Sequence, residues 1–344
     1  MHDVARAAGV SHQTVSRVLN DHPSVRPETR ERVRAAIIRL GYRRNPIARA
    51  LVTRQTHTIG VLAPASNLFG PASLVIAVEQ AARQHGWYVS LASLSDFDPP
   101  SVAAAIDHFL GQQVDGLVVV APVSSAVEAC STAALGIPTV MVATDADPAD
   151  GFDVVAIDQE AGARLAVRHL LQLGHRGVAH LAGPADWLDA AARLRGWRVE
   201  LAEAGLPVPT ASVGDWSPES GYRVGQQLLA DGDLPTAVFA ANDLMAIGLV
   251  RALVEAGVSV PGQVSVVGFD DIDATGFVLP PLTTVRQDLV TLGRLGVERL
   301  LAWIKGAEPA DPVRQPPELV VRASTAPPPE RDLSEHLRTG PQRG

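Results

Sequence analysis

Residues 12–19 combine a narrow apolar stripe with a run of side chains that form hydrogen bonds. Val15, Val18 and Leu19 have the i, i+3, i+4 spacing that places residues on one face of a helix. Hydroxyl, amide and guanidinium groups on the opposite face could pair with the edges of DNA bases in the major groove. The residues left on or near that polar face are His12, Gln13, Thr14, Ser16 and Arg17.

Neighbouring helices are needed to hold this polar face in place. Val4, Ala5 and Ala8 fall on one side of a predicted first helix. Gly9 follows where that helix must end, because glycine readily adopts the left-handed conformation of a helix C-terminus. Ser11 is a suitable N-cap for the second helix.

A third helix is predicted over residues 27–40, and it completes a small helix-turn-helix domain in residues 1–42. Pro27 suits the first helical position, where no backbone N–H is needed. Gly41 ends the helix. Its apolar stripe consists of Val33, Ala36, Ile37 and Leu40.

The charge of the chain is unevenly distributed. The formal net charge is −8, yet residues 1–55 hold eleven arginines and four acidic residues, which gives this segment +7 and the remainder −15. A basic head on an acidic body indicates a polyanionic partner for the head. Charge alone fits a solvated, arginine-rich helical segment equally well.

Residues 43–57 separate the head from the body. Periodicity favours a basic linker here over a short helix opened by Asn45 and Pro46, since one or two isolated turns are marginally stable.

From residue 58 onward, short apolar runs alternate with amphipathic stretches. Runs such as 116–120, 139–142 and 237–240 are typical of buried strands, and stretches such as 190–204 have helical spacing. This rhythm predicts an α/β fold with parallel sheets covered by helices on both faces. Because there are too many units for one compact sheet, we predict two lobes, with a ligand cleft beyond the carboxyl ends of the strands. The predicted core is 58–325, with lobe 1 at about 58–157 and 286–315 and lobe 2 at about 158–285 and 316–325.

Several classes of protein are disfavoured by what the sequence lacks. Cys130 is the only cysteine, which excludes a disulfide framework and a multi-thiolate metal site. There is no GxGxxG, GxxxxGK[ST], HExxH or GxSxG string, so no cofactor, metal site or enzymatic activity is predicted. No apolar run is long enough to span a membrane and no signal peptide is evident, so a cytoplasmic location is expected.

The head resembles the DNA-binding domain of the lactose/galactose repressor family. The similarity is carried by DVARAAGVS at 3–11, QTVSRV at 13–18, TRERV at 29–33, LGY at 40–42, and Asn45-Pro46 with Ala48 and Leu51. It implies that His12, Gln13 and Arg17 read bases, while Thr14, Ser16 and Asn20 mostly contact phosphates. It further implies a hinge helix over 45–52 that folds on DNA, with Leu51 wedged into the minor groove. His12 departs from the family pattern, so no operator sequence is carried over. Arg26 stands where the family usually has a serine cap before Pro27.

The body resembles the effector-binding core of the same family, which is similar to the periplasmic sugar-binding proteins. The similar strings are LGH at 173–175, AGP at 182–184, GDWS at 214–217, AND at 241–243, VGFDD at 267–271 and PPLTTV at 280–285. The resemblance implies polar effector contacts from Arg193, Asn242 and Asp270, with Gln287 at the border of the cleft and Trp216 as a platform. It implies an apolar wall formed by Leu68, Gly70, Pro71 and Leu74.

These residue types suit a sugar, because a guanidinium donates to adjacent hydroxyls and an indole covers an apolar ring face. Simpler interpretations remain open. Asn242-Asp243 is a possible helix cap, Asp270-Asp271 a turn, Trp216 a core residue and Arg193 a surface residue with a salt-bridge partner. Ala143, Val120 and Leu289 stand where polar or aromatic pocket groups are expected, so a sugar-like polyol is predicted rather than a galactoside.

The combined prediction is a sequence-specific DNA-binding regulator, a repressor, whose operator affinity is controlled by a sugar-like effector. The resemblance favours release of DNA on effector binding. A homodimer on a palindromic operator is expected, and residues 326–344 are predicted to be a disordered tail. The alternatives are the same regulator with a non-sugar effector such as a purine, and a sugar-binding receptor without a DNA function.

Overall fold

The computed structural model describes residues 1–19, 21–42, 55–133, 136–147, 151–232 and 234–330. The chain divides into two compact units, Met1–Thr56 and His57–Gly344. Four predicted DNA-contacting residues lie outside the described residues, namely Asn20, Asn45, Ala48 and Leu51.

The first unit is a three-helix domain with a helix-turn-helix, as predicted. Its helices are α1 (His2–Ala8), α2 (His12–Leu19) and α3 (Pro27–Arg39). Gly9 follows α1 in the left-handed conformation at φ 61°. The Thr14 backbone N–H donates to Ser11 Oγ at 3.2 Å, so Ser11 caps α2. Small apolar side chains from all three helices form the core, with Val33 fully buried among them.

The second unit alternates strands and helices along most of its length. Its helices are α4 (Phe69–Gln84), α5 (Pro99–Gly111), α6 (Ser124–Thr132), α7 (Gln159–Gln172), α8 (Leu188–Glu203), α9 (Pro218–Asp231), α10 (Asp243–Glu255) and α11 (Leu289–Ile304). Its strands are β1 (Thr58–Pro64), β2 (Tyr88–Leu94), β3 (Gly116–Val120), β4 (Thr139–Val142), β5 (Asp153–Ile157), β6 (Ala179–Ala182), β7 (Ser212–Val213), β8 (Ala237–Ala240), β9 (Ser265–Val267), β10 (Thr284–Arg286), β11 (Val313–Gln315) and β12 (Glu318–Val320).

Two parallel sheets organise this unit. The first has the order β11-β5-β4-β3-β1-β2, with α4 and α11 on one face and α5 and α6 on the other. The second has the order β7-β6-β8-β9, with α7 and α8 on one face and α9 and α10 on the other. Each sheet with its helices is called a lobe below, the first lobe holding the six-stranded sheet.

The chain passes between the two lobes three times. The crossings join β5 to α7, β10 to α11 and β11 to β12. Strands β10 and β12 pair antiparallel, with Val285 opposite Leu319. These paired strands connect the lobes and lie close in sequence to the cleft residue Gln287.

The structure describes the chain as far as Glu330, beyond the predicted start of the tail at residue 326. Ala326 is held by its neighbours, since its carbonyl oxygen accepts from Ser265 Oγ at 3.0 Å. Residues 331–344 lie outside the described residues. Within the described ranges, no helix is both long and apolar enough to cross a membrane, and no cluster of three or more candidate metal ligands is found.

Helices α9 and α10 pack so closely that Gly248 has no room for a side chain. A β-carbon there would lie 1.8 Å from the Pro218 carbonyl oxygen. We expect Gly248→Ala to lower the free energy of unfolding by at least about 2 kcal/mol, because backbone must move to relieve the clash. The control is Gly111→Ala at the end of α5, where an added carbon meets no atom within 4 Å. Urea unfolding compares the two variants, and equal stability would contradict this close packing.

Candidate functional site

The outer face of α2 carries the predicted base-reading residues. His12, Gln13 and Arg17 are exposed, whereas Thr14 and Ser16 are half-buried. The Thr14 hydroxyl lies 2.9 Å from Ser11 Oγ, at the capped end of the helix. The structure therefore places five of the predicted DNA-contacting residues on one helix, with Val15 and Val18 turned into the core.

A cavity lies between the two lobes of the second unit, at the carboxyl ends of their strands. The volume of this cavity that the centre of a water molecule can occupy is about 90 Å³. Strand ends from both sheets reach it, since Ala121 follows β3, Ala143 follows β4 and Asp270 follows β9. All nine predicted effector residues line it: Leu68, Gly70, Pro71, Leu74, Arg193, Trp216, Asn242, Asp270 and Gln287.

Four polar side chains form a continuous buried network along this cavity. Arg193 Nε donates to Gln159 Oε1 at 3.0 Å, and Gln159 Nε2 donates to Gln287 Oε1 at 2.8 Å. Gln287 Nε2 then donates to Asp270 Oδ1 at 2.7 Å. The Arg193 guanidinium also stacks 3.8 Å above the Phe269 ring centroid. Arg193 is therefore a buried member of the cavity wall, and the surface-residue interpretation is wrong.

Asp270 lies in a turn and also faces the cavity. Its φ is 115° and that of Asp271 is 57°, so both residues adopt left-handed backbone conformations. Asp271 turns away and binds two guanidiniums, accepting from Arg322 Nη2 at 2.6 Å and from Arg286 Nε at 2.7 Å. These ion pairs stabilise the conformation that brings Asp270 to the cavity.

The two adjacent carboxyls have opposite pKa shifts. Burial raises the pKa of Asp270 to about 6, although the nearby Arg193 and the Gln287 hydrogen bond oppose the shift. Burial would also raise the pKa of Asp271, but Arg322 and Arg286 outweigh it and hold that pKa below its ordinary value.

We expect Asp270→Asn to stabilise the protein more at pH 7.5 than at pH 4.5. The folded pKa of Asp270 lies above its unfolded value near 3.9, so its stabilising contribution is lost as pH rises toward 6. The shift corresponds to roughly 2 to 3 kcal/mol. Urea unfolding at the two pH values measures the difference. Asp271→Asn is the control: its folded pKa lies below the unfolded value, so its effect on stability should stay nearly constant between these two pH values. Parallel behaviour of the two variants would contradict this assignment.

Asn242 has two structural tasks in addition to lining the cavity. Its Oδ1 accepts from the Met245 N–H at 2.9 Å and caps α10, while its Nδ2 donates to the Trp216 carbonyl oxygen at 3.0 Å. Asp243 is fully buried behind it and accepts from the Ile272 N–H at 3.0 Å. Asn242, and not Asp243, therefore both caps α10 and lines the cavity.

Trp216 is both a core residue and part of the cavity wall. It is 5% exposed, packs edge-on against Trp187, and covers Gly183, where a β-carbon would lie 2.2 Å from the indole. Its φ of 72° is a conformation that favours glycine. Its Nε1 is buried and has no hydrogen-bond partner among the described residues.

Comparison with known proteins identifies the chain. Residues 1–45 match the family described as bacterial regulatory proteins, lacI family, and residues 167–325 match the periplasmic binding protein-like domain. The lactose operon repressor of Escherichia coli strain K12 is 37% identical over 332 residues, covering 95% of this chain and 91% of that protein. The chain belongs to the lacI family of bacterial regulatory proteins.

Other members of the lacI family are similar over nearly the whole length. The transcriptional repressor PurR of Haemophilus influenzae strain PittEE is 34% identical over 330 residues, which cover 94% of this chain and 97% of PurR. A crystal structure of the lac repressor dimer bound to operator and the anti-inducer ONPF has a TM-score of 0.83 and 36% identity, covering 94% of this chain and 98% of that one. This lacI-family chain is a DNA-binding transcriptional repressor and not an enzyme.

The structure adds cavity residues that the sequence did not single out. Gln159 follows β5, and Asp189 lies in the first turn of α8. Thr144 Oγ1 of the first lobe donates to Asp189 Oδ1 of the second lobe at 2.6 Å. The sequence could have indicated these residues only through their position, because each follows or faces the carboxyl end of a parallel strand. Val120, Ala143 and Leu289, the predicted departures, also line the cavity.

Proposed function

We propose that a neutral sugar or sugar-like polyol binds in the cavity and lowers the affinity of this repressor for its operator. The observation that carries the proposal is the convergence of all nine predicted effector residues on one cavity between the lobes. Because one fold hosts many functions, the chemical groups in that cavity, and not the fold, support the ligand class.

The unused hydrogen-bonding capacity of the cavity matches vicinal hydroxyls. Among the described residues, Asp270 Oδ2 accepts no hydrogen bond. Asp189 Oδ2 lies 3.8 Å from Arg193 Nη2, which is beyond hydrogen-bond distance. A carboxylate accepts from hydroxyls, and the remaining guanidinium N–H groups of Arg193 donate to them. The Trp216 indole N–H supplies a further buried donor.

The charge of the cavity disfavours anionic effectors. Of the side chains that line it, Asp189 and Asp270 are acidic and Arg193 is basic. A phosphosugar or nucleotide would add negative charge next to two carboxyls with a single guanidinium to compensate. A neutral polyol meets no such cost. A neutral purine is the remaining alternative and is an outcome of the experiment below.

The effector site is suited to changing the arrangement of the lobes. The lobes already contact each other at the cavity, where the Leu188 N–H donates to the Pro122 carbonyl oxygen at 2.9 Å and Thr144 bonds Asp189. A ligand that binds one arrangement more tightly shifts the population toward it, with a coupling of about 1–3 kcal/mol in typical cases. The effector thereby alters how two DNA-binding units are presented.

The active species in this proposal is a homodimer on a palindromic operator. Apolar side chains remain exposed in both lobes, including Ile76 and Tyr88 in the first and Phe277 and Leu279 in the second, the last two at 90% and 85% exposure. Phe277 and Leu279 are only two residues apart, and contiguous exposed apolar surface is typical of a protein interface. The similar lac repressor structure is a dimer on its operator, and two-fold symmetric proteins bind symmetric half-sites.

A ligand screen followed by DNA binding tests the proposal. The full chain is screened by thermal shift against neutral monosaccharides and disaccharides, sugar phosphates and purine bases. Its operator is selected from genomic fragments, and sedimentation shows whether the bound species is a dimer. A neutral sugar is expected to raise the melting temperature and to lower operator affinity at least fivefold. A response to a purine or a sugar phosphate alone would overturn the proposal.

A further inference from the structure

A line of four charged side chains crosses the boundary between the two lobes, outside the effector cavity. Asp145 follows β4 in the first lobe, and Arg195 lies on α8 in the second lobe. The Arg195 guanidinium forms a salt bridge with Asp145 Oδ2. Arg314 of β11 and Glu160 of α7 extend the line at its two ends. None of these four side chains lines the effector cavity.

Charges alternate along this line, so each neighbouring pair attracts. Arg314 Nη2 lies 3.3 Å from Asp145 Oδ1 within the first lobe. Arg195 Nε lies 3.4 Å from Glu160 Oε2 within the second lobe. Each lobe therefore orients its own half of the line, and the contact between Asp145 and Arg195 joins the halves. A change in the arrangement of the lobes that separates those two side chains leaves the other two pairs intact.

The loop after β4 makes two consecutive contacts with the second lobe. Thr144 donates to Asp189 at the cavity wall, and Asp145 pairs with Arg195 further along the same helix. Asp145 has a left-handed backbone conformation at φ 61°, which aspartate tolerates better than most residues. Because the cavity and the ion pair share one loop and one helix, a lobe movement that changes the cavity also changes the ion pair.

The strength of this ion pair suits the adjustment of an equilibrium. The Arg195 side chain is 44% exposed and that of Asp145 is 34% exposed, so water and dissolved ions weaken their attraction. Pairs of this kind change the free energy of unfolding little. When two lobe arrangements have similar free energies, however, even a weak contact that exists in only one of them changes their relative populations.

We infer that the ion pair between Asp145 and Arg195 stabilises the lobe arrangement of this structure and thereby sets the effector concentration at which operator affinity falls. Loss of the pair shifts the population toward the other arrangement. Because operator and effector favour different arrangements, their two affinities then change in opposite directions. Salt acts like loss of the pair, since it screens exposed charges. This inference rests on the proposed function, because it names the regulation of the same site.

A double-mutant cycle tests this inference. The variants of the full chain are Asp145→Asn, Arg195→Gln and the double variant. Operator affinity is measured without sugar by fluorescence anisotropy, and affinity for the neutral sugar with the largest thermal shift is measured without DNA by calorimetry. Each single variant is expected to change the two affinities about threefold, in opposite directions. The double variant should match the single variants, because either substitution already removes the pair.

Further variants and salt show whether the effect comes from the charge pair. Arg195→Lys keeps the positive charge and should retain both wild-type affinities. Asp107→Asn and Arg198→Gln neutralise exposed side chains of α5 and α8 that are not part of this line, and they should change neither affinity. The sugar affinity of the wild-type chain should change in the direction of the variants between about 50 and 500 mM NaCl, and Asp145→Asn should lose this dependence.

The outcomes separate the ion pair from the function on which it rests. If no sugar binds the wild-type chain, the proposed function fails, and the operator affinities of the cycle still test the pair. If the double variant changes operator affinity by the product of the two single changes, Asp145 and Arg195 act independently and the inference is wrong. It is also wrong if the variants retain both wild-type affinities, or if the two affinities fall together.

Discussion

Replacing Arg193 with alanine is expected to abolish the effector response while operator binding is retained. The guanidinium lines the cavity within 3.8 Å of both Asp189 and Asp270, so its loss removes the only basic side chain among the described cavity residues. Effector affinity should fall at least a hundredfold, since a charged hydrogen-bond donor is lost and two carboxyls lose their nearby positive charge. Titration of the ligand found by the screen, with and without operator DNA, measures the change.

Arg198→Ala is the matched control for this variant. Arg198 lies on the same helix, is exposed and is not part of the cavity lining. It should retain the effector response. Arg193→Lys preserves the charge and guards against misfolding of the alanine variant. If Arg193→Ala folds and still releases the operator with wild-type ligand affinity, the cavity is not the effector site.

The strands with uninterrupted apolar runs could be predicted from the sequence. The runs at 116–120, 139–142 and 237–240 coincide with β3, β4 and β8, because a strand buried on both faces has no polar position to interrupt it. Strand β5 was not singled out although its residues 154–157 are apolar, and it begins with the charged Asp153. Arg299 Nε donates to Asp153 Oδ2 at 2.8 Å and makes this buried charge tolerable. That partner lies 146 residues away, so no local pattern reveals it.

The missed strand explains a missed cavity residue. Gln159 reaches the cavity because it follows β5, and without that strand its position in the sequence carries no signal. Its hydrogen bond with Gln287 joins residues 128 positions apart. Similarly, asparagine and aspartate are both common helix caps, so the residue types alone could not decide whether Asn242 or Asp243 caps α10. The burial of Asp243 beneath Gly268, where a β-carbon would lie 2.2 Å from Asp243 Oδ1, depends on tertiary packing.

A second large effect is expected in the DNA-binding unit. Arg17→Ala should lower the ratio of operator affinity to random-DNA affinity by roughly tenfold or more, because a bidentate contact between an arginine and a guanine contributes about 1–3 kcal/mol of discrimination. Arg17 is exposed in the last turn of α2, whereas the inward-facing Val18 beside it holds the helix in the core. Fluorescence anisotropy with operator and random duplexes at two salt concentrations measures the ratio.

Arg39→Ala separates base reading from general attraction to DNA. Arg39 is an exposed arginine in the last turn of α3, so its removal changes the charge of the unit by the same amount. Each charge removed weakens binding to both duplexes and reduces the salt dependence if that side chain contacts a phosphate. Only Arg17→Ala should change the ratio between operator and random DNA. If the two variants lower both affinities in parallel, the exposed face of α2 does not read sequence through Arg17, and the other exposed residues of that face, His12 and Gln13, must account for recognition.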